Sequence, residues 1–441
     1  MQLKLQNIDI SKYLNLNSTL TNSNLKKLII SGSFLSFIGI GSGLLGYAYQ
    51  ILMGRLLTPP EFGLFTAIMA FSALISSPMG GVSLAIARRI ARFNAHNHFD
   101  AASLFCMNAQ KKGYLASGAI IIILLMLTDP IQVYLKSPNR TPVFLLILGL
   151  SLVIFSSINL GILQGGQRFK WLGLTNIVGV TTKILFSASF IYLGLGISGA
   201  LIGVIAGSFA IWLMGNHLIK THLIRKTCNR NIHNDIQIGS TLKTNLPMVI
   251  AGIAFTISTQ LDMILVNWYF PAIEAGQYAA ASVLGKAVLY LPGGLAIALL
   301  PIATEEHALN SKSSLITKSL LITFAVCFLA ASFYWIFADI LVAAFYGDAY
   351  KNAGVILQWF GFAILPMALI MIIENFLLAR GVVIFSWLFL ALSPLQVLLA
   401  HFFHAEIWMI LCSLTVSGFL ILIVGLVLIS KNSPDHKIIE I

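Results

Sequence analysis

Apolar stretches and short polar breaks alternate along almost the whole chain, and a bilayer-crossing helix needs about 20 mostly apolar residues. The pattern predicts twelve spans. The first six cover 28–53, 62–86, 113–128, 142–164, 172–194 and 197–219; the second six cover 245–268, 278–301, 317–345, 352–379, 381–403 and 407–430. Span three has an amphipathic lead-in from near Ala101. Runs such as ASGAIIIILLMLT lack the in–out alternation of a membrane-barrel strand. The fold class is therefore all-α and polytopic, because a helix satisfies its own backbone where no water is present. The opening residues 1–25 are polar, rich in Asn and unlike a secretory signal peptide, and they read as a disordered tail. The longest polar break, residues 220–244, is a basic linker between an N-lobe at 26–219 and a C-lobe at 245–430; a short polar tail at 431–441 follows.

Composition agrees with this reading. The chain is 58% hydrophobic and only 10% charged, whereas a water-facing domain carries about 25% charged residues. Of the 27 Lys and Arg residues, 21 fall in breaks on one side and only Arg55, Lys136, Arg140 and Lys351 on the other. The positive-inside rule then places both termini in the cytoplasm. The net charge of +12 is a topology signal facing anionic membrane lipids, and no nucleic acid is needed to explain it. Cys106, Cys228, Cys327 and Cys412 are scattered without metal or CxxC spacing; they read as packing residues and one loop thiol.

The two halves repeat. ILMGRLLTPPEFGLFTA (51–67) aligns without a gap on ILVNWYFPAIEAGQYAA (264–280), matching Glu61 to Glu274 and Gly63 to Gly276. In the same register Gly80 and Gly81 meet Gly293 and Gly294. Each half holds an even number of spans, so both enter the membrane from the same side. The expected architecture is two pseudo-symmetric six-helix lobes, related by an axis along the membrane normal, around a central cavity. SPMGGVS in span two and YLPGGLA in span eight are matching interruptions. Proline removes a backbone hydrogen bond and glycine loosens the rest, which makes Pro78, Gly80, Gly81, Pro292, Gly293 and Gly294 candidate hinges. Close helix packing is the plainer explanation of the same residues.

GRLLTPPEFG with its echo LDMILVNWYFPAIEAGQYAAASVLGK resembles the polysaccharide flippases of the Wzx type, within the superfamily that also holds multidrug exporters and the lipid II flippase. The resemblance runs from about residue 26 onward and is strongest in spans one, two, seven and eight. It implies alternating access and a cargo of oligosaccharide linked by diphosphate to a polyprenol: an O-antigen, capsule or exopolysaccharide repeat unit. It further implies H+ or Na+ as coupling ion, polysaccharide polymerase machinery as partner, no cofactor and no catalytic residues. A multidrug or cation antiporter and a lipid II flippase are the alternatives within the fold, although lipid II flippases commonly carry two further helices. The alternative from another class is a membrane-embedded glycan polymerase or ligase. The short outer loops and the lack of GxSxG, HExxH or a surface carboxylate pair argue against it.

Ionisable residues inside spans are costly, and each is a candidate for function. Lys183 lies near the middle of span five, where it reads as a positive cavity wall or as a snorkelling lysine. Lys286 in span eight and Asp262 in span seven lie at similar depth on consecutive spans, as a structural ion pair or one used in gating or ion coupling. Arg55, just past span one, is either an interfacial anchor or a phosphate catcher. Glu374, a further gating or coupling candidate, sits near the cytoplasmic end of span ten, where Arg380 is expected to satisfy it. His401 and His404 are interfacial residues, not metal ligands, for want of a third ligand. The charge distribution predicts that a reporter active only outside the cytoplasm is silent when fused at Ile441 and active near Gly347; activity at Ile441 would invert the topology.

Overall fold

The computed structural model describes residue 41 and residues 43–223, 245–293 and 315–431. The tail 1–25, most of the linker 220–244, Gly294 and the tail beyond 431 lie outside these residues. Among the described residues no β-strand occurs, and the regular structure is helix. Six long helices belong to the first lobe among the described residues: α1 (described over 43–56), α2 (Pro59–Ala95), α3 (Phe99–Met126), α4 (Thr141–Gly165), α5 (Phe169–Phe190) and α6 (Gly196–His222), with a short helix at Thr128–Tyr134 between α3 and α4. Six more form the second: α7 (Leu246–Tyr269), α8 (Ala272–Lys286), α9 (Leu315–Tyr346), α10 (Ala353–Ala379), α11 (in two pieces, Ile384–Leu392 and Leu395–Phe402) and α12 (Ile407–Lys431). Nine helical stretches among the described residues are long and apolar enough to cross a membrane, and one of them, Phe169–His222, is α5 and α6 joined through a π turn. The protein is a multi-pass membrane protein of two pseudo-symmetric lobes.

The TPPE stretch between the first two spans is a helix start. Pro59 and Pro60 occupy the first helical positions of α2, where the missing N–H is no loss and the fixed φ suits the helix. The Glu61 carboxylate accepts from both the backbone N–H and the hydroxyl of Thr58, at 3.1 and 2.8 Å. That carboxylate also faces the positive end of the helix dipole. In α8, Pro271 is the cap and Glu274 stands in the first turn; the repeated acid again faces the positive end of the dipole, but proline offers it no N–H or hydroxyl to accept from.

The two starts meet. A Cβ built on Gly63 would lie 2.8 Å from the backbone nitrogen of Gly276, and one on Gly276 would overlap the carbonyl of Pro59. The first turns of α2 and α8 therefore pack backbone to backbone, and the matched glycines allow it. Each lobe is organised about its fourth helix: α10 has 78% of its apolar window buried, while α9 has only 17% and presents its side chains to lipid. At the end carrying Arg55, one continuous apolar core joins both lobes, from Met53, Phe62 and Phe65 to Tyr278, Tyr346 and Phe360. At the end carrying Arg88 and Arg92, the first lobe has a separate core of Ile86, Ile90, Phe105 and Ile162.

The matched interruptions produce different local structures. Pro78 lies inside α2, which continues as helix to Ala95. By contrast, α8 gives way after Lys286 to a 3-10 turn over Ala287–Tyr290, with a break at Leu291 and Pro292. A Cβ on Gly80 or Gly293 would meet nothing within 4 Å, whereas one on Gly81 would strike Val249 of α7. Gly276→Ala is thus expected to lower the melting temperature of the purified protein in detergent. Gly80→Ala should leave it unchanged or raise it, since alanine favours a helix interior by up to about 1 kcal/mol over glycine. Equal melting of the two variants would remove the glycine contact from the account of lobe packing.

Candidate functional site

In the first lobe the site is built on α1, α5 and α6. Tyr49 of α1 is completely buried. Its hydroxyl lies 3.2 Å from the Ser187 Oγ of α5 and donates to the Ala200 carbonyl of α6 at 3.4 Å. The Ser187 hydroxyl donates to the same carbonyl at 3.0 Å. Lys183, one turn before Ser187 on the same face of α5, places its Nζ 3.8 Å from the centre of the Tyr49 ring. The ring's negative face partners the ammonium. Gly207 of α6 makes room for this lysine, since a Cβ there would lie 2.7 Å from the Lys183 Cβ. No carboxylate pairs with Lys183 among the described residues.

In the second lobe the structure brings Asp262 and Lys286 together. Asp262 of α7 is fully buried. Its Oδ1 accepts from the Lys286 Nζ at 2.9 Å, and its Oδ2 accepts from the Tyr278 hydroxyl at 2.9 Å. The Lys286 side chain keeps 16% of its surface exposed, and its Nζ lies 5.9 Å from the Phe360 ring of α10. Both oxygens of the acid are thereby satisfied by α8, as a buried charge requires.

These two clusters occupy corresponding places. Asp262 stands 213 residues after Tyr49, and Tyr278 stands 213 after Phe65. Tyr49 and Phe65 form an edge-to-face ring pair at 6.2 Å, where Asp262 and Tyr278 form a hydrogen bond. One position in the repeat is an apolar contact in one lobe and an acid–phenol contact in the other. The first lobe thus keeps an unpaired cation, and the second keeps a neutralised one.

Arg55 does not point into this space. Its Nε donates to the Phe345 carbonyl at 2.8 Å, and its Nη2 donates to that of Ala344. It caps the C-terminal end of α9, in the opposite lobe, where the carbonyls lack helical partners and the dipole is negative. Further bonds cross between lobes at the same end: the Tyr350 hydroxyl to the Leu57 carbonyl at 3.3 Å, Asn267 to the Leu135 carbonyl at 2.8 Å, and Lys136 to the Phe270 carbonyl at 3.4 Å. Phe62 packs against Tyr346 and Tyr350, with ring centres 5.7 and 5.9 Å away.

Glu374 corrects its expected pairing. It is buried, its Oε1 has no hydrogen-bond partner, and no ion pair joins it to Arg380 among the described residues. The Arg380 guanidinium lies instead over the Phe376 ring at 4.5 Å. Six residues turn a helix by about 600°, so the two side chains leave α10 on different faces. His401 and His404 are both engaged by Tyr269, through a 3.4 Å contact to its hydroxyl and a ring stack at 4.2 Å.

Charge-based reading missed the neutral members: Tyr49, Ser187 and Tyr278. It also missed an amide cluster in the first lobe, where Gln110 donates to Asn159 and Asn216 at 2.9 Å each and Tyr114 and Trp212 close the network. The 213-residue register, carried back from Asp262, was the available signal for Tyr49.

A family model described as "Polysaccharide biosynthesis protein" matches residues 29–307. An uncharacterized membrane protein, MJ1375 of Methanocaldococcus jannaschii, is 25% identical over 189 residues, 40% of this chain and 44% of that one. The chain thus spans under half the length of that relative. Among solved structures, an inward-facing multidrug resistance MATE family transporter of the MOP superfamily is similar with a TM-score of 0.76 at 16% identity, covering 91% of this chain and 96% of that one. The lipid II flippase MurJ in an inward closed conformation is similar with a TM-score of 0.69 at 16% identity, covering 90% and 87%.

The ion pair makes its own prediction. Lys286→Met leaves Asp262 as a buried charge with only Tyr278, a loss of about 3–5 kcal/mol for a broken buried pair. Lys286→Met combined with Asp262→Asn should recover most of that stability in a thermal melt. A double variant no more stable than the single one would mean that the pair is not a stabilising unit.

Proposed function

Because the chain belongs to the polysaccharide biosynthesis protein family, we propose that it is a flippase that moves polyprenyl-diphosphate-linked oligosaccharide across the cytoplasmic membrane by alternating access. The observation that carries this reading is the charge imbalance between lobes. Lys183 is an ammonium held by an aromatic face and no acid, while the only cation of the second site is bound to Asp262. The interior therefore favours an anion, and a diphosphate headgroup is one. Its bare charge could not cross hydrocarbon, whereas a wet, positive cavity between the lobes lets the polyprenyl tail remain in lipid. A cation antiporter of the same fold would want acids in its cavity, whereas Lys183 has no carboxylate partner among the described residues.

The Arg88 end faces the cytoplasm in this proposal, as do both termini, on the strength of the Lys and Arg distribution. The conformer is then sealed toward the outside by Arg55, Tyr350 and the apolar core at that end. Substrate enters from the cytoplasmic side and meets Lys183, and Lys286 receives it once freed from Asp262. Arg55 takes part when the seal opens, because its guanidinium must then leave the carbonyls of α9. Glu374, a buried carboxyl with a free oxygen, is the candidate for coupling to H+ or Na+, and Asp262 for gating. Bending at Pro78, Gly80 and Gly81 and at Pro292, Gly293 and Gly294 accompanies the swing of the lobes. The polysaccharide polymerase machinery takes up the product outside.

The test replaces Lys183 with Ala and with Arg in cells lacking the native gene, and measures surface glycan beside protein level in the membrane. Lys183→Ala is expected to abolish export at normal abundance and to leave a lipid-linked glycan accumulating inside; Lys183→Arg should retain part of the export. Normal export by the Ala variant would make Lys183 a structural residue and remove the basis of the reading.

A further inference from the structure

Gln396 in the second piece of α11 is completely buried, and neither its Oε1 nor its Nε2 has a hydrogen-bond partner among the described residues. A buried amide with both ends unmade is costly and calls for a reason. Its place in the fold supplies one. α7 and α11 run side by side, joined by Ser258 and Ser393 at 3.1 Å below and by Tyr269 and His401 at 3.4 Å above. Asp262 is one turn beyond Ser258 on the same face of α7, and Gln396 is three residues beyond Ser393 on α11. The amide and the carboxylate therefore lie at one level on adjoining helices. Gln396 also stands 213 residues after Lys183, the residue that meets Tyr49, whose own counterpart is Asp262.

We infer that Gln396 is a positioning residue for transport: a standby partner that takes over Asp262 when Lys286 leaves it. In this conformer Lys286 and Tyr278 hold the acid from α8, and the amide makes no hydrogen bond. Lys286 is the partly exposed member of the pair, and an anionic headgroup in the cavity draws it away. Asp262 would then be left buried beside a single phenol, which opposes the step. A shift of α11 against α7 brings the Gln396 N–H to the freed oxygen and lowers that opposition. The orphaned amide of one state becomes the hydrogen bond of the other. The inference rests on the flippase reading for the anion that draws Lys286.

The experiment uses Gln396→Met, which keeps length and removes the amide; Gln396→Leu carries the same test if that variant accumulates poorly. Surface glycan is measured per membrane-embedded protein. In parallel, an impermeant maleimide probes Leu57→Cys, buried in the seal at the Arg55 end, in a chain whose four native cysteines are Ala. Gln396→Met is expected to lose at least tenfold in export at normal abundance, and to label at Leu57→Cys at least threefold less than its parent. Adding Asp262→Asn, which leaves no charge behind when Lys286 departs, should raise labelling above that of Gln396→Met, to the level of Asp262→Asn alone. Wild-type export and labelling by Gln396→Met would overturn the inference. So would a double variant that labels no better than the single. Labelling needs no knowledge of the cargo: if it responds as stated while the unaltered chain fails to restore surface glycan, the flippase reading falls and the role of Gln396 stands.

Discussion

Hydrocarbon offers no hydrogen bonds, and most of this structure is an answer to that one constraint. Backbone groups are satisfied by helices, and the side chains that cannot avoid being polar are satisfied by each other. Asp262 uses both oxygens on α8. The amides of Gln110, Asn159 and Asn216 close on themselves. Arg55, at a helix end, spends its donors on carbonyls that a helix terminus leaves unmade. Against this background, the few groups that stay unsatisfied are the informative ones.

Three of those exceptions concern the transport reading. Lys183 has a ring and no counter-charge, while Glu374 and Gln396 are buried with atoms that bond nothing. All three are features a rigid, purely structural bundle would have reason to lose. A molecule that alternates between conformations has reason to keep them, because a group without a partner in one state can be held in the other.

Much of the fold was legible in the sequence, because a length of apolar residues is a direct physical statement about spanning. The depth of Asp262 and Lys286 on consecutive spans was legible for the same reason. Arg55 was not, since its partners are backbone carbonyls of another lobe and leave no mark in residue type. The expected Glu374–Arg380 contact failed because nearness in sequence was read as nearness in space, although six residues along a helix turn a side chain away. The unequal fates of Pro78 and Pro292 were hidden as well: the same punctuation is absorbed in α2 and breaks α8.

The contact between Gly63 and Gly276 has a meaning beyond packing. A residue that touches its own repeat counterpart lies on the axis relating the two copies, and such self-matching contacts are the signature of a two-fold dimer interface. The geometry is that of a six-helix subunit facing an identical subunit inserted in the same direction, with the two now fused into one polypeptide. In a true homodimer every substitution appears twice, so Asp262 could not exist without an identical acid opposite. Fusion releases the copies from that bond, and one lobe can then hold a tyrosine where the other holds an aspartate.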